Sequence, residues 1–302
     1  MDTVLLDMDP GHDDALALLV ALSCLPVRGV TTVAGNQIVE KTYLNTRRIL
    51  DVAGIHCEVV RGASKPLFRP LVVADRVHGD SGLDGYDFPL IAPARSVDAF
   101  SWLRQRIREE PKVRWIATGP LTNVAVWLMG HPDLREKITD ITVMGGALRG
   151  GNVTRYAEFN FYVDPDAAQY VLTSGVPVSL VGLDVTHKAL LSFHEFYRFK
   201  ELRTPVGEMF YQLFAFFSQH EPNAGPEGTP VHDVLAVAAL AQPHLFQWTP
   251  MALHVERCDD EHRGKMTVIP SQGAVPGVNV ATDIDVEGFF SWMWQQLEYY
   301  RK

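Results

Sequence analysis

Two kinds of apolar run alternate along the chain. Short runs rich in Val, Ile and Thr predict strands, and longer runs with apolar positions three or four apart predict helices. TVLLDMD, VRGVTTVAG, CEVVRGA, VRWIATG, ITDITVMGG and VPVSLVGLDVT read as buried strands. DDALALLVALSCL, IVEKTYLNTRRILDVAG and LTNVAVWLMG read as helices, as does DPDAAQYVLTSG, with Asp164 as N-cap and Pro165 in its first turn. The aromatic FFSWMWQQLEYY predicts a packing helix at the C-terminus, and RQRIREEPKVR a charged helix face. Strands alternating with helices predict an α/β fold, Rossmann-like, with a mostly parallel central sheet and helices on both faces. No repeat, low-complexity tract or linker divides the sequence, so residues 1–302 read as a single domain. In such sheets ligands bind beyond the carboxyl ends of the strands. Asp9, Gly35-Asn36, Thr118-Gly119 and Met144-Gly145-Gly146 fall at those ends.

Composition narrows the partners. Asp and Glu number 36 against 27 Lys and Arg, a formal charge of −9, with no basic tract. That argues against a nucleic-acid partner held through its phosphates. A small neutral or cationic ligand, or a metal ion, suits the charge better. The apolar stretch from Ala15 to Leu25 is too short to span a bilayer, and Asp2 and Asp7 interrupt any leader-like run. A soluble cytoplasmic protein without a membrane partner is expected. Cys24, Cys57 and Cys258 are too scattered for a disulfide framework or a zinc site.

The residues LLDMDPGHDDALALL carry the first chemical signal. Asp7, Asp9, Asp13 and Asp14 crowd between a predicted buried strand and a predicted buried helix. An Asp-Pro-Gly turn with one capping aspartate accounts for one or two of them, not four. Carboxylates gathered at a strand end form an all-oxygen site for a hard cation, Ca²⁺ or Mg²⁺. RVHGDSGLDGYDFP, with His78, reads as a surface loop that can serve as a lid. In GGNVTRYAEFNFYVDPDAAQYVL, Glu158 and Asn160 alternate with Phe159 and Phe161. A strand-like segment would turn both polar groups to one side. Asn152 adds an amide suited to sugar hydroxyls. In GTPVHDVLAVAALAQP, Asp233 is either a helix N-cap or a further metal carboxylate, and His232 a group for proton transfer.

DMDPGHDDALALL closely resembles the DxDPGxDDxxA signature of the nucleoside hydrolases, calcium-dependent enzymes that cleave the N-glycosidic bond of ribonucleosides. TTVAGN, HGDSGLDG, ATGPLTNVA, VMGGAL, AEFNFYVDPDAA, LDVTH and VHDVLAVA follow in the family's order over most of the chain. Two positions depart from it: Asp80 stands where the family often has Glu, and Val234 where Pro often follows His-Asp. The resemblance implies Ca²⁺ ligation by Asp9, Asp14, Asp233 and the main-chain carbonyl of Thr122, with Asp7 beside the metal. It implies ribose contacts from Asp13, Asn36, Asn152, Glu158 and Asn160. Met144, Phe159 and His78 would complete the substrate pocket. The implied catalytic set is Asp9 as general base, His232 as acid for the departing base, and Asn36. A homodimer or homotetramer is expected by the same resemblance. Two alternatives stay open on the residues themselves: a catalytically silent nucleoside- or sugar-binding protein, and a haloacid-dehalogenase-like phosphatase with Asp7 as nucleophile.

Overall fold

The computed structural model describes residues 2–92, 96–270 and 277–301. Its centre is an eight-stranded sheet in the order β3-β2-β1-β4-β5-β6-β12-β9. These strands are β1 (Thr3–Met8), β2 (Val27–Thr32), β3 (Val59–Arg61), β4 (Val113–Ala117), β5 (Ile138–Met144), β6 (Val178–Val181), β9 (Phe246–Met251) and β12 (Val278–Ile284). All neighbours pair in parallel except β12 with β9. Two small antiparallel pairs lie outside it, β7 (Leu190–Leu191) with β8 (Thr229–Pro230) and β10 (Leu253–Val255) with β11 (Met266–Val268).

The two faces of the sheet fill separate cores because side chains alternate along each strand. On β1, Val4, Leu6 and Met8 meet the helices His12–Cys24, Pro205–His220, His232–Ala241 and Val286–Leu297. Leu5 on the same strand meets the opposite layer, built from Ala99–Glu109, Thr122–Gly130 and Pro165–Leu172. The expected C-terminal packing helix is Val286–Leu297, with Phe289, Met293 and Leu297 spaced i, i+4, i+8 and fully buried.

Several elements differ from the pattern reading. Strands β9 and β12 escaped it. The β9 sequence FQWTPM has only Phe246 buried and carries Pro250, tolerated because β9 is an edge strand. The run VPVSLVGLDVT ends as a strand at Val181, and Leu183–Thr186 is a helical turn. The segment around Glu158 is a short helix, Phe159–Val163, not a strand. Glu158 causes this as its N-cap, accepting hydrogen bonds from the amides of Asn160 and Phe161.

Strand order reverses between β1 and β4, which leave the chain's first half as neighbours although β2 and β3 intervene in sequence. A crevice opens beyond the carboxyl ends at such a switch point. Asp9 leaves β1 there, and Thr118-Gly119 leaves β4.

Candidate active site

The Asp-Pro-Gly turn after β1 throws the chain straight into helix His12–Cys24, with Asp13 and Asp14 in its first turn. Helix His232–Ala241 packs beside it and opens with His232 and Asp233. Its N-cap residue is Val231, so Asp233 does not cap the helix. Two helix N-termini therefore converge, and their partial positive charge favours carboxylates. One oxygen each from Asp13, Asp14 and Asp233 lie within 4.8 Å of one another, all three residues buried.

Asp9 lies next to this group. Its Oδ2 accepts the amide of Asn36 at 2.7 Å, while Oδ1 is buried with no partner. The carboxylate fits only because glycines flank it: a Cβ on Gly119 would come 2.6 Å from Oδ1, and one on Gly35 would collide with Oδ2. Asp14 accepts the Thr118 hydroxyl at 2.7 Å on Oδ1 and the Asn36 amide side chain at 3.1 Å on Oδ2. Burial, and then the Asp14 carboxylate, pushes Asp13 up to about 8 and holds Asp9 well above the ordinary carboxylate range. Burial followed by the charge of Asp13 does the same to Asp233. Two full negative charges 4 Å apart repel by ~4 kcal/mol even at an effective dielectric near 20. Such a group must bind protons or a cation.

A cavity of about 470 Å³ opens over the cluster. Its walls include Asp13, Asn36, His78, Met144, Asn152, Glu158, Phe159, Asn160, His232 and Asp233, so ten of the residues singled out in the sequence meet in one place. Asp9 and Asp14 are not among those walls, and neither is Thr122. Its hydroxyl donates to Asp164 at 2.6 Å, an anchor for the cap of helix Pro165–Leu172. The threonine at the cavity is Thr118, which touches Asp14 through its hydroxyl. Asp7 is fully buried, bound by the Thr31 hydroxyl and the Asn123 amide, and does not line the cavity, so it is no nucleophile for a phosphatase.

The family profile described as inosine-uridine preferring nucleoside hydrolase matches residues 4–291. The chain belongs to that family. It is therefore an enzyme, a ribonucleoside hydrolase acting on N-glycosidic bonds. It is 42% identical over 308 aligned residues to the pyrimidine-specific ribonucleoside hydrolase RihA of Citrobacter koseri, with 98% of each chain covered. A purine-preferring ribonucleoside hydrolase from Gardnerella vaginalis superposes with a TM-score of 0.93 at 30% identity, covering 99% of both chains. A plant nucleoside hydrolase gives 0.90 at 28% identity, covering 98% of this chain and 99% of that one.

In this nucleoside hydrolase the cavity carries residues that the sequence pattern had not marked. Phe217 and Glu221 line it. Glu221 is half-buried, and desolvation raises its carboxyl above the ordinary range; it follows the long helix Pro205–His220 just before a loop rich in Gly and Pro. Nothing in a lone glutamate before Pro222 distinguishes it in sequence. His12, inside the DPGHDD signature, was likewise passed over; its ring packs 5.2 Å from that of His78. The stretch around His78 is no loose connection. Gln37 holds the carbonyls of Gly79 and Asp80, and Asn45 that of Ser81. Gly11 makes room for His78, because a Cβ there would lie 2.6 Å from His78 Cε1. Gly11→Ala is expected to displace that ring, raising KM or lowering kcat several-fold with the fold intact by circular dichroism. Unchanged kinetics would show that His78 does not meet the substrate.

Burial pushes His232 down to about 3 and His12 down to about 4, and lowers His78 well below its ordinary value. All three rings are neutral imidazoles at neutral pH, able to offer one donor and one acceptor each.

Proposed function

We propose that this enzyme hydrolyses pyrimidine ribonucleosides, uridine and cytidine, with inosine as a further candidate, and does so with Ca²⁺. The observation that carries the reading is the buried trio Asp13, Asp14 and Asp233, two of which, Asp13 and Asp233, line a cavity walled by amides and histidines. The preference for pyrimidines rests on the relatives named pyrimidine-specific being the more similar ones, 42% against 30% identity for the purine-preferring structure. We place a closed homodimer or homotetramer in the cytoplasm, following the general preference of such chains for closed symmetry. No described helix is long and apolar enough to cross a membrane.

The donor set fits a hard divalent cation. It is all oxygen, it is buried, and Asp9 Oδ1 has no partner within the chain. Asp9, Asp14 and Asp233 are the ligands we assign, with the Thr118 carbonyl replacing that of Thr122. An ion held there would supply Lewis-acid activation, and an irregular all-oxygen shell of this kind suits calcium.

The remaining work falls to the chain itself. Cleaving a ribosyl C–N bond develops positive charge on the sugar, as in glycosidases. Asp9 takes the proton of the attacking water, and the carboxylates around it stabilise the cationic sugar. Asn160 donates its amide hydrogens to the carbonyls of Thr118 and Met144, at 2.6 and 3.2 Å, which leaves Oδ1 to accept from a ribose hydroxyl. Asn152 has the opposite polarity: Oδ1 accepts the Phe159 amide at 2.9 Å, leaving Nδ2 to donate. Asn36 and Glu158 complete the wall around the sugar. His232, whose Nε2 is buried without a partner, protonates the departing base.

A reducing-sugar assay tests the reading with uridine, cytidine, inosine and 2′-deoxyuridine, each with and without strong chelation of calcium. Ribose release that stops on chelation and returns with Ca²⁺ is the expected result. Release unaffected by chelation overturns the calcium assignment, and inosine cleaved far faster than uridine overturns the pyrimidine preference. His232→Ala is expected to slow uridine cleavage by ~10²–10⁴-fold, the usual scale for a lost proton-transfer group. An activated nitrophenyl riboside, whose leaving group needs no proton, is expected to be nearly unaffected. Equal losses on both would remove His232 from that role.

A further inference from the structure

We infer that Glu221 reads the nucleobase: one oxygen of its carboxylate accepts the exocyclic amino group of cytosine or adenine. Bases with an oxo group at that position, uracil and hypoxanthine, are disfavoured. The inference deepens the proposed function and rests on it for the placement of the sugar.

Asn36, Asn152, Glu158 and Asn160 take the sugar, which leaves the rest of the cavity wall for the base. That wall comes from residues 72–77 and from the end of helix Pro205–His220. The helix packs there against Asp75–His78, and the Phe217 ring stacks on that of His78 at 5.4 Å. Val72, Val73, Val77, Phe217 and Pro222 make the wall largely apolar, which suits the flat faces of a nucleobase better than a polyol. Three charged residues interrupt it. Asp75 and Arg76 are exposed to solvent, whereas Glu221 is half-buried.

Glu221 sits where a carboxylate is poorly supported. It caps the C-terminal end of a 16-residue helix, donating its amide to the Phe217 carbonyl at 2.9 Å. The helix dipole is negative at that end and favours a cation there. Among the described residues none is supplied: burial, which raises the carboxyl, and two hydrogen bonds from Asn223 are what act on it. A partly desolvated anion with no cation beside it gains from a ligand that brings N–H donors.

The two carboxylate oxygens are not equivalent. The main-chain amide and the side-chain amide of Asn223 both donate to Oε1, at 3.0 and 2.7 Å. Among the described residues nothing donates to Oε2, so one oxygen is pinned and the other is available. An ionised carboxylate only accepts. Acidic side chains pair with the amino group of cytosine for this reason, whereas O4 of uracil would set two acceptors face to face. The ring N–H of uracil lies between two carbonyls, so approach there meets the same repulsion. The 6-amino group of adenine and the 6-oxo group of hypoxanthine repeat the contrast in purines.

The test is kcat/KM for cytidine, uridine, adenosine and inosine in the unmodified protein, in Glu221→Gln and in Glu221→Ala. The unmodified protein is expected to favour cytidine over uridine, and adenosine over inosine, by ~10-fold, the scale of one base edge read correctly. In Glu221→Gln the side-chain oxygen keeps the two bonds from Asn223, which turns the amide hydrogens of Nε2 toward the base. Both preferences are then expected to invert toward the oxo base, whereas a structural loss alone would slow both members of a pair alike. Glu221→Ala is expected to bring both ratios close to one. An unmodified protein that does not favour the amino member of each pair, or ratios that stay within twofold of the parent in both variants, overturns the inference. Kd ratios from calorimetry on the Asp9→Asn protein read the same preference without turnover. Failure of the hydrolysis reading therefore shows as absent ribose, not as an altered ratio.

Discussion

Asp9→Asn is expected to lower turnover of a ribonucleoside by ~10³-fold or more, within the range found when a general base is removed. The substitution preserves shape, so the amide of Asn36 keeps an oxygen to donate to and the tight fit between Gly35 and Gly119 is undisturbed. What disappears is the charge and basicity of the carboxylate. Binding of uridine, followed by calorimetry, is expected to persist with KM changed far less than kcat. The metal-free variant is also expected to melt at a higher temperature than the parent, because one negative charge has left a site where Asp14, Asp13 and Glu158 all repel it. Retained turnover would remove Asp9 as the base; lost nucleoside binding would recast it as a substrate-holding group.

Removing the divalent cation is the second large effect. Chelation is expected to abolish ribose release and to lower the melting temperature, because an ion that binds only the folded chain stabilises it by ~3 kcal/mol at a hundredfold excess over its Kd. The sign of the pH dependence follows from the carboxylates. Asp13, raised to about 8, and Asp7, raised to about 7, hold protons in the fold that the unfolded chain has released. Their contribution is full below pH 4 and is lost as pH rises through those values. The buried histidines act oppositely. His12 and His232, at about 4 and about 3, cost stability only as pH falls below the ordinary value of 6.5. Between pH 6.5 and 8 the carboxylates act alone, so the chelated protein is expected to lose stability with rising pH in that window. Over the same window metal affinity is expected to rise, as protons cease to compete. A melting temperature indifferent to both chelator and pH there would mean that no cation occupies the cluster.

Much of this was legible in one dimension. The alternation of β-branched and helical runs named six of the eight central strands, because strands buried on both faces must be continuously apolar. The two it missed are β9, an edge strand, and its neighbour β12, where that rule relaxes. The acidic crowding of DPGHDD announced a cation site for an equally local reason: nearby charges of one sign are costly whatever the fold. Strand-like alternation misled at Glu158, where a cap bonded to two amides outweighed it.

Other features have no local signature. Which threonine faces the cluster depends on where β4 ends against β1, and the pairing selects Thr118 over Thr122. The meeting of Asp233 with Asp13 and Asp14 spans more than two hundred residues and arises only when two helices pack side by side. The contact of His12 with His78 joins positions 66 residues apart and that of Thr186 with His232 joins positions 46 apart, and no spacing rule connects either pair. The sequence by itself determined the element types, the layered architecture and the kinds of chemical group available, because burial and backbone preference act over a few neighbouring residues. Only the tertiary structure decided which groups touch, since hydrogen bonds are directional and their partners come from distant parts of the chain.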